Sequence, residues 1–331
     1  MKNASFGIEL RSVHSIDDVS SHYPTETQEE DLHRDLRMFM RNARRAARST
    51  IASLERTLMR KHYLKRLYKS ITGSPLNLEN PTRYTEKIQW RKIYDRNPLI
   101  VETTDKLKVR DYVRRRIGED LLTKIYWVGK DPKSIPFNDL PNSFVLKTNH
   151  GCGFNIFVPD KIKLDKQAAI DQLSNWLETT YGKEALEWAY RHINRYVYAE
   201  EYLVDERGQR PTDYKFFVFR GKSPALFICS SRHSDLRWDF YDIDWNCLGV
   251  NAGKPNSERC LKKPSGFDKM KEYAEILGKE FDYVRIDLYD LNSRIIFGEM
   301  THYPASGLIV YDPISFDYWM GSFWELPGPR K

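Results

Sequence analysis

Val284-Arg285-Ile286-Asp287-Leu288-Tyr289, followed by Ile295-Ile296-Phe297-Gly298-Glu299-Met300-Thr301, is the stretch on which the fold turns. Both halves alternate and are rich in β-branched and aromatic residues, and Asp290-Leu291-Asn292-Ser293-Arg294 separates them. That pattern predicts two antiparallel strands joined by a tight turn. Each strand carries a carboxylate at its middle, Asp287 and Glu299, where a structural strand favours an apolar or neutral side chain. Two carboxylates on adjacent strands need a cation between them, and Mg²⁺ takes carboxylate and phosphate oxygens together.

Parity sets a condition on this reading. Side chains alternate faces, so a slip of one residue moves a whole strand's set to the other side. An even turn pairs Asp287 with Gly298 and sends Glu299 away. An odd turn pairs Glu299 with Arg285 and brings Arg285, Asp287 and Glu299 to one face. A shared metal therefore requires an odd turn or a bulge. The competing reading is a solvated hairpin with two exposed acids.

At 331 residues the chain can bury a substantial core in two or three subdomains, and 20 Tyr, 16 Phe and 8 Trp exclude a disordered class. No apolar run approaches the ~18 residues of a membrane-spanning helix, and the polar N-terminus lacks a signal-peptide core. The expectation is a cytoplasmic protein. Cys152, Cys229, Cys247 and Cys260 lack CxxC spacing, which argues against a zinc site and a disulfide framework. His150 and His302 likewise lack metal-ligand spacing and read as hydrogen-bonding groups. The net charge of +7 is uneven: Arg34 to Lys69 holds twelve Lys or Arg against two acids, a net of +10, leaving −3 elsewhere.

Residues 1–30 are polar and mixed and read as flexible. From Asp31 to Ile71, Leu36, Phe39, Met40, Ala43, Ala47, Ile51, Leu54, Leu58, Leu64, Leu67 and Ile71 recur at helical spacing, with basic residues opposite. This basic amphipathic helix suits an anionic membrane surface or an acidic partner, and equally a helix packed on the body with its charges in water. No nucleic acid is expected as partner, since no recognisable binding module accompanies the basic run. Gly73-Ser74-Pro75 ends the segment. A short helix around Ile88, Trp90 and Ile93 follows, then a helix from Lys106 to Ile117 capped by Thr104-Asp105.

The second informative stretch is Phe144-Val145-Leu146-Lys147-Thr148-Asn149-His150-Gly151-Cys152-Gly153-Phe154-Asn155-Ile156-Phe157-Val158. It reads as strand, glycine loop, strand, with a tip that brings backbone N–H groups to phosphate oxygens. Lys147 lies in an apolar strand and needs an anion. The loop is not a P-loop. Helices are expected over 165–195. Strands are expected at 196–203, at 213–219 and from Ala225 to Ser230. Arg232, His233, Arg237 and Asp239 then fall on a loop and edge strand, and a helix runs from Phe267 to Lys279. Pro304-Ala305-Ser306-Gly307 suits either a substrate pocket or a plain turn.

In order, Asp105-Lys106, Lys147 before the glycine loop, Glu200-Glu201-Tyr202-Leu203, Arg285-x-Asp287 and Gly298-Glu299-x-Thr301 resemble the ATP-grasp superfamily. The wording of "EKIQWRKIYDR", "TDKLKVRDYV", "FVLKTNHGCGFNI", "DYKFFVFRGK" and "VRIDLY…IIFGEMTHYPASG" resembles its TupA-like branch, associated with teichuronopeptide and cell-surface polysaccharide biosynthesis. The likeness runs from about residue 76 to the end. It implies an α+β, ATP-grasp-like fold of two α+β lobes clamping a nucleotide, behind the basic N-terminal segment of residues 1–75. The pre-ATP-grasp subdomain would be 76–140, the N-lobe 141–203 and the C-lobe 204–326. It implies ATP and Mg²⁺ as cofactors. Lys106, Lys147, Gly151 and Gly153 would face phosphates, and Glu200, Glu201, Tyr202 and Leu203 the adenine and ribose. Asp287 and Glu299 would hold the metal with Thr301, which stands where asparagine is usual. Arg285 would stabilise the transferred phosphoryl group, and Lys215 and Arg232 would contact substrate or phosphate.

The implied activity is an ADP-forming carboxylate–amine ligase acting through an acyl phosphate on an acidic sugar of a surface glycan, with an amine or amino acid as second substrate. A sugar kinase with the same clamp, and a glycosyltransferase or scaffold retaining the fold, are the alternatives. Residues 34–69 would then meet an anionic membrane surface or a polysaccharide-assembly partner, peripherally at the inner face of the membrane.

Overall fold

The computed structural model describes residues 59–205, 208–230, 236–291 and 294–328. The expectations for the polar N-terminus, for the basic run up to Leu58 and for Arg232 and His233 lie outside the described residues. Helix α1 (Arg60–Thr72) is the described end of the basic segment. Leu64 and Tyr68, one turn apart, are buried, whereas Lys61, Lys65 and Lys69 are exposed. Gly73 ends it in the left-handed region (φ 72°) and donates its N–H to the Lys69 carbonyl. No helix among the described residues is long and apolar enough to cross a membrane.

Helix α2 (Tyr84–Tyr94) starts on a capping box in which Glu86 accepts the backbone N–H of Arg83 at 3.1 Å. Helix α3 (Pro98–Thr104) opens with Asn97 as cap and proline in the first turn. The helix expected from Lys106 begins three residues later, as α4 (Val109–Arg116). Asp105 causes the delay. Its Oδ1 accepts from the backbone of Leu107 (2.9 Å) and Lys108 (3.4 Å), holding a turn that competes with helix.

Strands β1 (Ile125–Gly129), β2 (Phe144–Thr148), β3 (Asn155–Val158) and β4 (Val197–Glu201) form an antiparallel sheet in the order β1-β4-β2-β3. Helix α5 (Lys166–Glu178), capped by Asp165, buries Ala169 and Leu173 in a core with Ile135, Phe137, Leu140, Phe144, Leu146, Val197 and Ala199. Beyond α5 the chain makes a 3₁₀ turn at Trp188–His192 instead of a second α-helix, with Leu186 in the left-handed region (φ 58°) just before it.

The second sheet is also antiparallel and holds β5 (Asp213–Phe219), β6 (Lys222–Ser230), β7 (Arg237–Asp242), β8 (Val284–Leu291) and β9 (Arg294–Thr301). Its order is β7-β6-β5-β8-β9. Helix α6 (Phe267–Gly278) covers one face and joins the core through Met270, Ala274 and Leu277. Helices α2 to α4 contribute Tyr84, Ile88, Ile100, Val109, Tyr112 and Val113 to the same core. Burial of each valine, leucine, isoleucine or methionine among them stabilises the fold by about 1.5–3 kcal/mol. Helix α7 (Ser315–Ser322) is tied to α2 by Asp317, which accepts from the Thr85 backbone (2.9 Å) and hydroxyl (2.6 Å).

The hairpin meets its parity condition by a bulge. Leu291 pairs with Arg294, an even spacing that alone would turn Glu299 away from Asp287. The register then shifts: Leu288 pairs with Phe297 but Asp287 pairs with Glu299, and Gly298 is the extra residue. Glu299 therefore sits directly opposite Asp287, and Thr301, not Glu299, is the partner of Arg285.

Candidate functional site

A cavity of about 480 Å³ opens between the two sheets, a size suited to a small-molecule ligand. Strand β2 and the glycine loop supply Lys147, Cys152 and Gly153, β4 supplies Glu200 and Glu201, and Tyr202 and Leu203 continue the wall. Lys215, Arg285, Asp287 and Glu299 face it from the five-stranded sheet, and Lys106 joins from the turn before α4.

The loop's shape follows from Asn149, which is fully buried. Its side-chain amide donates to Asp105 and to the Asn194 carbonyl (both 2.8 Å), and its Oδ1 accepts the Tyr196 N–H (2.8 Å). Gly151 follows at φ 83°, where an added Cβ would lie 2.8 Å from the Phe154 ring and 2.9 Å from that of Tyr181. The Lys106 ammonium donates to the Gly151 carbonyl at 2.5 Å, linking the two phosphate-facing candidates. His150 is a hydrogen-bonding loop residue, its Nε2 near the Trp176 carbonyl (3.1 Å), and His302 meets the Thr103 hydroxyl (2.8 Å).

Lys147 finds its anion in Glu200. Glu200 also accepts from the Thr123 hydroxyl (3.1 Å), to which Arg110 donates (3.1 Å). Glu201 accepts the Lys124 backbone N–H and the Arg294 guanidinium, both at 3.2 Å, which ties the end of β4 to strand β9.

Across the floor, one register line runs Phe240, Phe227, Lys215, Asp287, Glu299. Arg285 holds Asp287 through Nε and Nη2, both at 2.7 Å, and Nη2 also reaches Glu299 (3.1 Å) and the Thr301 hydroxyl (2.9 Å). Lys215 bridges Asp287 and Asp213, the latter at 2.5 Å. The Thr301 hydroxyl donates to Glu299 Oε1 (2.9 Å). Burial pushes the Glu299 carboxyl up, but Lys106, Arg285 and Lys215 outweigh it and bring it down to about 2. Burial pushes Lys215 down, and Asp213 and Asp287 reverse that, so its ammonium is held above the ordinary range.

The structure thus gathers Lys106, Lys147, Gly153, Glu200, Glu201, Tyr202, Leu203, Lys215, Arg285, Asp287 and Glu299 around one cavity, with Gly151 and Thr301 one hydrogen bond behind. Asp213 was missed. It lies two residues before Lys215, hence on the same face of β5, a signal that was present in Asp213-Tyr214-Lys215. Among the described residues no cluster of three or more His, Cys, Asp or Glu could hold a metal unaided. Asp287 and Glu299 nevertheless fit Mg²⁺, which is bound through one or two carboxylates plus substrate phosphates. Cations and carboxylates interleave here, so a metal or a phosphate meets opposite charge by displacing an internal partner.

A model of the TupA-like ATP-grasp family matches residues 86–324. No curated protein matches the chain. Similar solved structures include N5-carboxyaminoimidazole synthase from Aspergillus clavatus in complex with ADP and 5-aminoimidazole ribonucleotide (13% identity, 61% of this chain and 45% of that one, TM-score 0.38). D-alanine–D-alanine ligase from Bacillus anthracis complexed with ATP matches at 16% identity over 67% of this chain and 63% of that one (TM-score 0.38). The Helicobacter pylori enzyme of the same name gives 14%, 68%, 61% and 0.42. The chain spans between 45% and 63% of the length of these three structures.

Proposed function

The chain belongs to the TupA-like ATP-grasp family, and from that membership we propose that it is an ATP-dependent carboxylate–amine ligase acting through an acyl phosphate. One observation carries the reading: Lys215, Arg285, Asp287 and Glu299 share the face of one sheet, and Lys106 and Lys147 border the same cavity. In this reading Glu201, Tyr202 and Leu203 face the base of ATP, and Lys106, Lys147 and the glycine loop neutralise its phosphates. Asp287 and Glu299 would hold Mg²⁺, which offsets phosphate charge when bound.

The acceptor's carboxylate oxygen attacks the γ-phosphorus, and the bond to the ADP oxygen breaks. The amine then attacks the acyl carbon and inorganic phosphate leaves. Charge gathers on the transferring oxygens, and Arg285 and Lys215, held on the cleft floor by Asp287, Glu299 and Asp213, are placed to offset it once those internal partners turn to the metal. Losing one such contact costs about 10²–10³ in rate. We assign the acceptor to the acidic sugars of cell-surface polysaccharide biosynthesis and the reaction to the cytoplasm. Release of ADP and phosphate with sugar acids and amines, and an amide in the mass spectrum, tests the proposal. A stable phosphosugar would instead make the enzyme a kinase, and absence of ADP with every pair would reject both.

A further inference from the structure

The floor of the cleft is divided. Towards β8 and β9 it is ionic, with Lys215, Arg285, Asp287 and Glu299. Towards β6 and β7 it is aromatic, with Phe227, Trp238 and Phe240, and Tyr311 lines the same cavity. Phe227 stacks on Phe240 (5.1 Å, 20°) and meets Trp238 at 5.6 Å, while the Arg285 guanidinium lies 5.7 Å over the Phe227 ring. The two halves meet at Lys215, which pairs with Phe227 on one side and Asp287 on the other. A nucleotide does not account for the aromatic half. Glu201, which faces the base in the proposed reading, is tied to β9 through Arg294, and β7 lies at the opposite edge, four strand spacings or about 19 Å away.

Trp238 adds an observation that points to a ligand. Its ring lines the cavity, and its indole N–H is buried with no hydrogen-bond partner. A buried donor without an acceptor is a rare and costly arrangement, and one that a bound acceptor atom relieves. Aromatic faces beside such a donor, with two cations at the border, suit a molecule with three features. It has a ring with an apolar C–H face, a hydroxyl that accepts from the indole, and a carboxylate that reaches Lys215 and Arg285.

We propose that the β6–β7 half of the cleft is the acceptor seat, and that it takes a sugar acid with its ring on Phe227 and Trp238 and its carboxylate at Lys215. The inference rests on the ligase reading and adds where its acidic-sugar acceptor sits and which side chain selects it. Phe227 lies about 10 Å from Asp287, two strand spacings, so a six-membered ring on the aromatic half places its carboxylate at the ionic border. Trp238 is then a specificity determinant and takes no part in holding the nucleotide.

The test is calorimetric titration of D-glucuronate and, separately, D-glucose into the full chain loaded with Mg²⁺ and a non-hydrolysable ATP analogue. Wild type, Trp238→Phe and Trp238→Ala are compared, with the affinity for the ATP analogue measured in each. The expected result is saturable glucuronate binding that exceeds glucose binding. It should weaken about tenfold in Trp238→Ala and by a smaller factor in Trp238→Phe, which keeps the ring and loses the donor, with ATP-analogue affinity unchanged. Three results overturn the proposal: no saturable binding of either sugar, glucuronate affinity indifferent to both substitutions, or ATP-analogue affinity falling instead, which would put the base on Trp238. None of these touches the ligase reading, which stands or falls on ADP release with other acceptors.

Discussion

Glu299→Gln separates the electrostatics of the cleft from its packing. The Glu299 carboxyl is held at about 2 by Lys106, Arg285 and Lys215 against an ordinary value of 4.5, and its side chain is 30% exposed. A carboxyl depressed on folding contributes stability that is present above its unfolded value and lost as pH falls through its folded one. That depression corresponds to at most about 3.4 kcal/mol at pH 7 and about 1.4 kcal/mol at pH 3. Glutamine keeps the shape and removes the charge, so the stability gap between wild type and variant should be widest at neutral pH and shrink as the solution is acidified. Urea unfolding of both proteins at pH 7, 5, 4 and 3 measures that gap, and subtraction removes the other titrating groups. A gap that does not change with pH, or a variant more stable than wild type at pH 7, would refute the claim that three cations converge on this carboxylate.

Asp317 should behave in the opposite sense. Burial raises its carboxyl to about 6 from 3.8, against the pull of its hydrogen bonds from Thr85. The protonated form is therefore favoured by folding, so wild type should lose up to about 3 kcal/mol relative to Asp317→Asn as pH rises from 4 to 7, read by chemical denaturation. Gly151→Ala forces a side chain into the left-handed region and against Phe154 and Tyr181. It should cost about 1–3 kcal/mol by thermal unfolding and weaken nucleotide binding in the same protein. Lys147→Ala removes a half-buried ammonium paired with Glu200. Affinity for Mg-ATP should fall tenfold or more by calorimetry, with a stability change of only about 1–2 kcal/mol.

The hairpin was legible because two periodicities disagreed with two residues: the alternation predicts strands, and Asp287 and Glu299 do not belong in plain ones. The bulge that reconciles them was foreseen only as a condition. Gly298, a lone glycine inside the strand pattern, is a local sign of a bulge, but whether the register shifts there is decided by the pairing on both flanks. The start of α4 was displaced because the Asp105 carboxylate satisfies backbone donors outside the helix as well as it would cap one. Lys147 was recognised as needing an anion, but Glu200 as its partner depends on β2 lying beside β4, a pairing that no local pattern encodes. The aromatic half of the floor was invisible for the same reason. Phe227, Trp238 and Phe240 read as strand formers, and only the sheet order sets them beside Lys215.

The central claim is that this cleft binds Mg-ATP through carboxylates on β8 and β9, and calorimetric titration of ATP with and without Mg²⁺ tests it most directly. Wild type should bind one nucleotide per chain in a magnesium-dependent manner. The Asp287→Asn, Glu299→Gln double variant should lose that binding while still unfolding cooperatively. A wild-type chain that binds no ATP, or a double variant that binds it as tightly as wild type, would contradict the account.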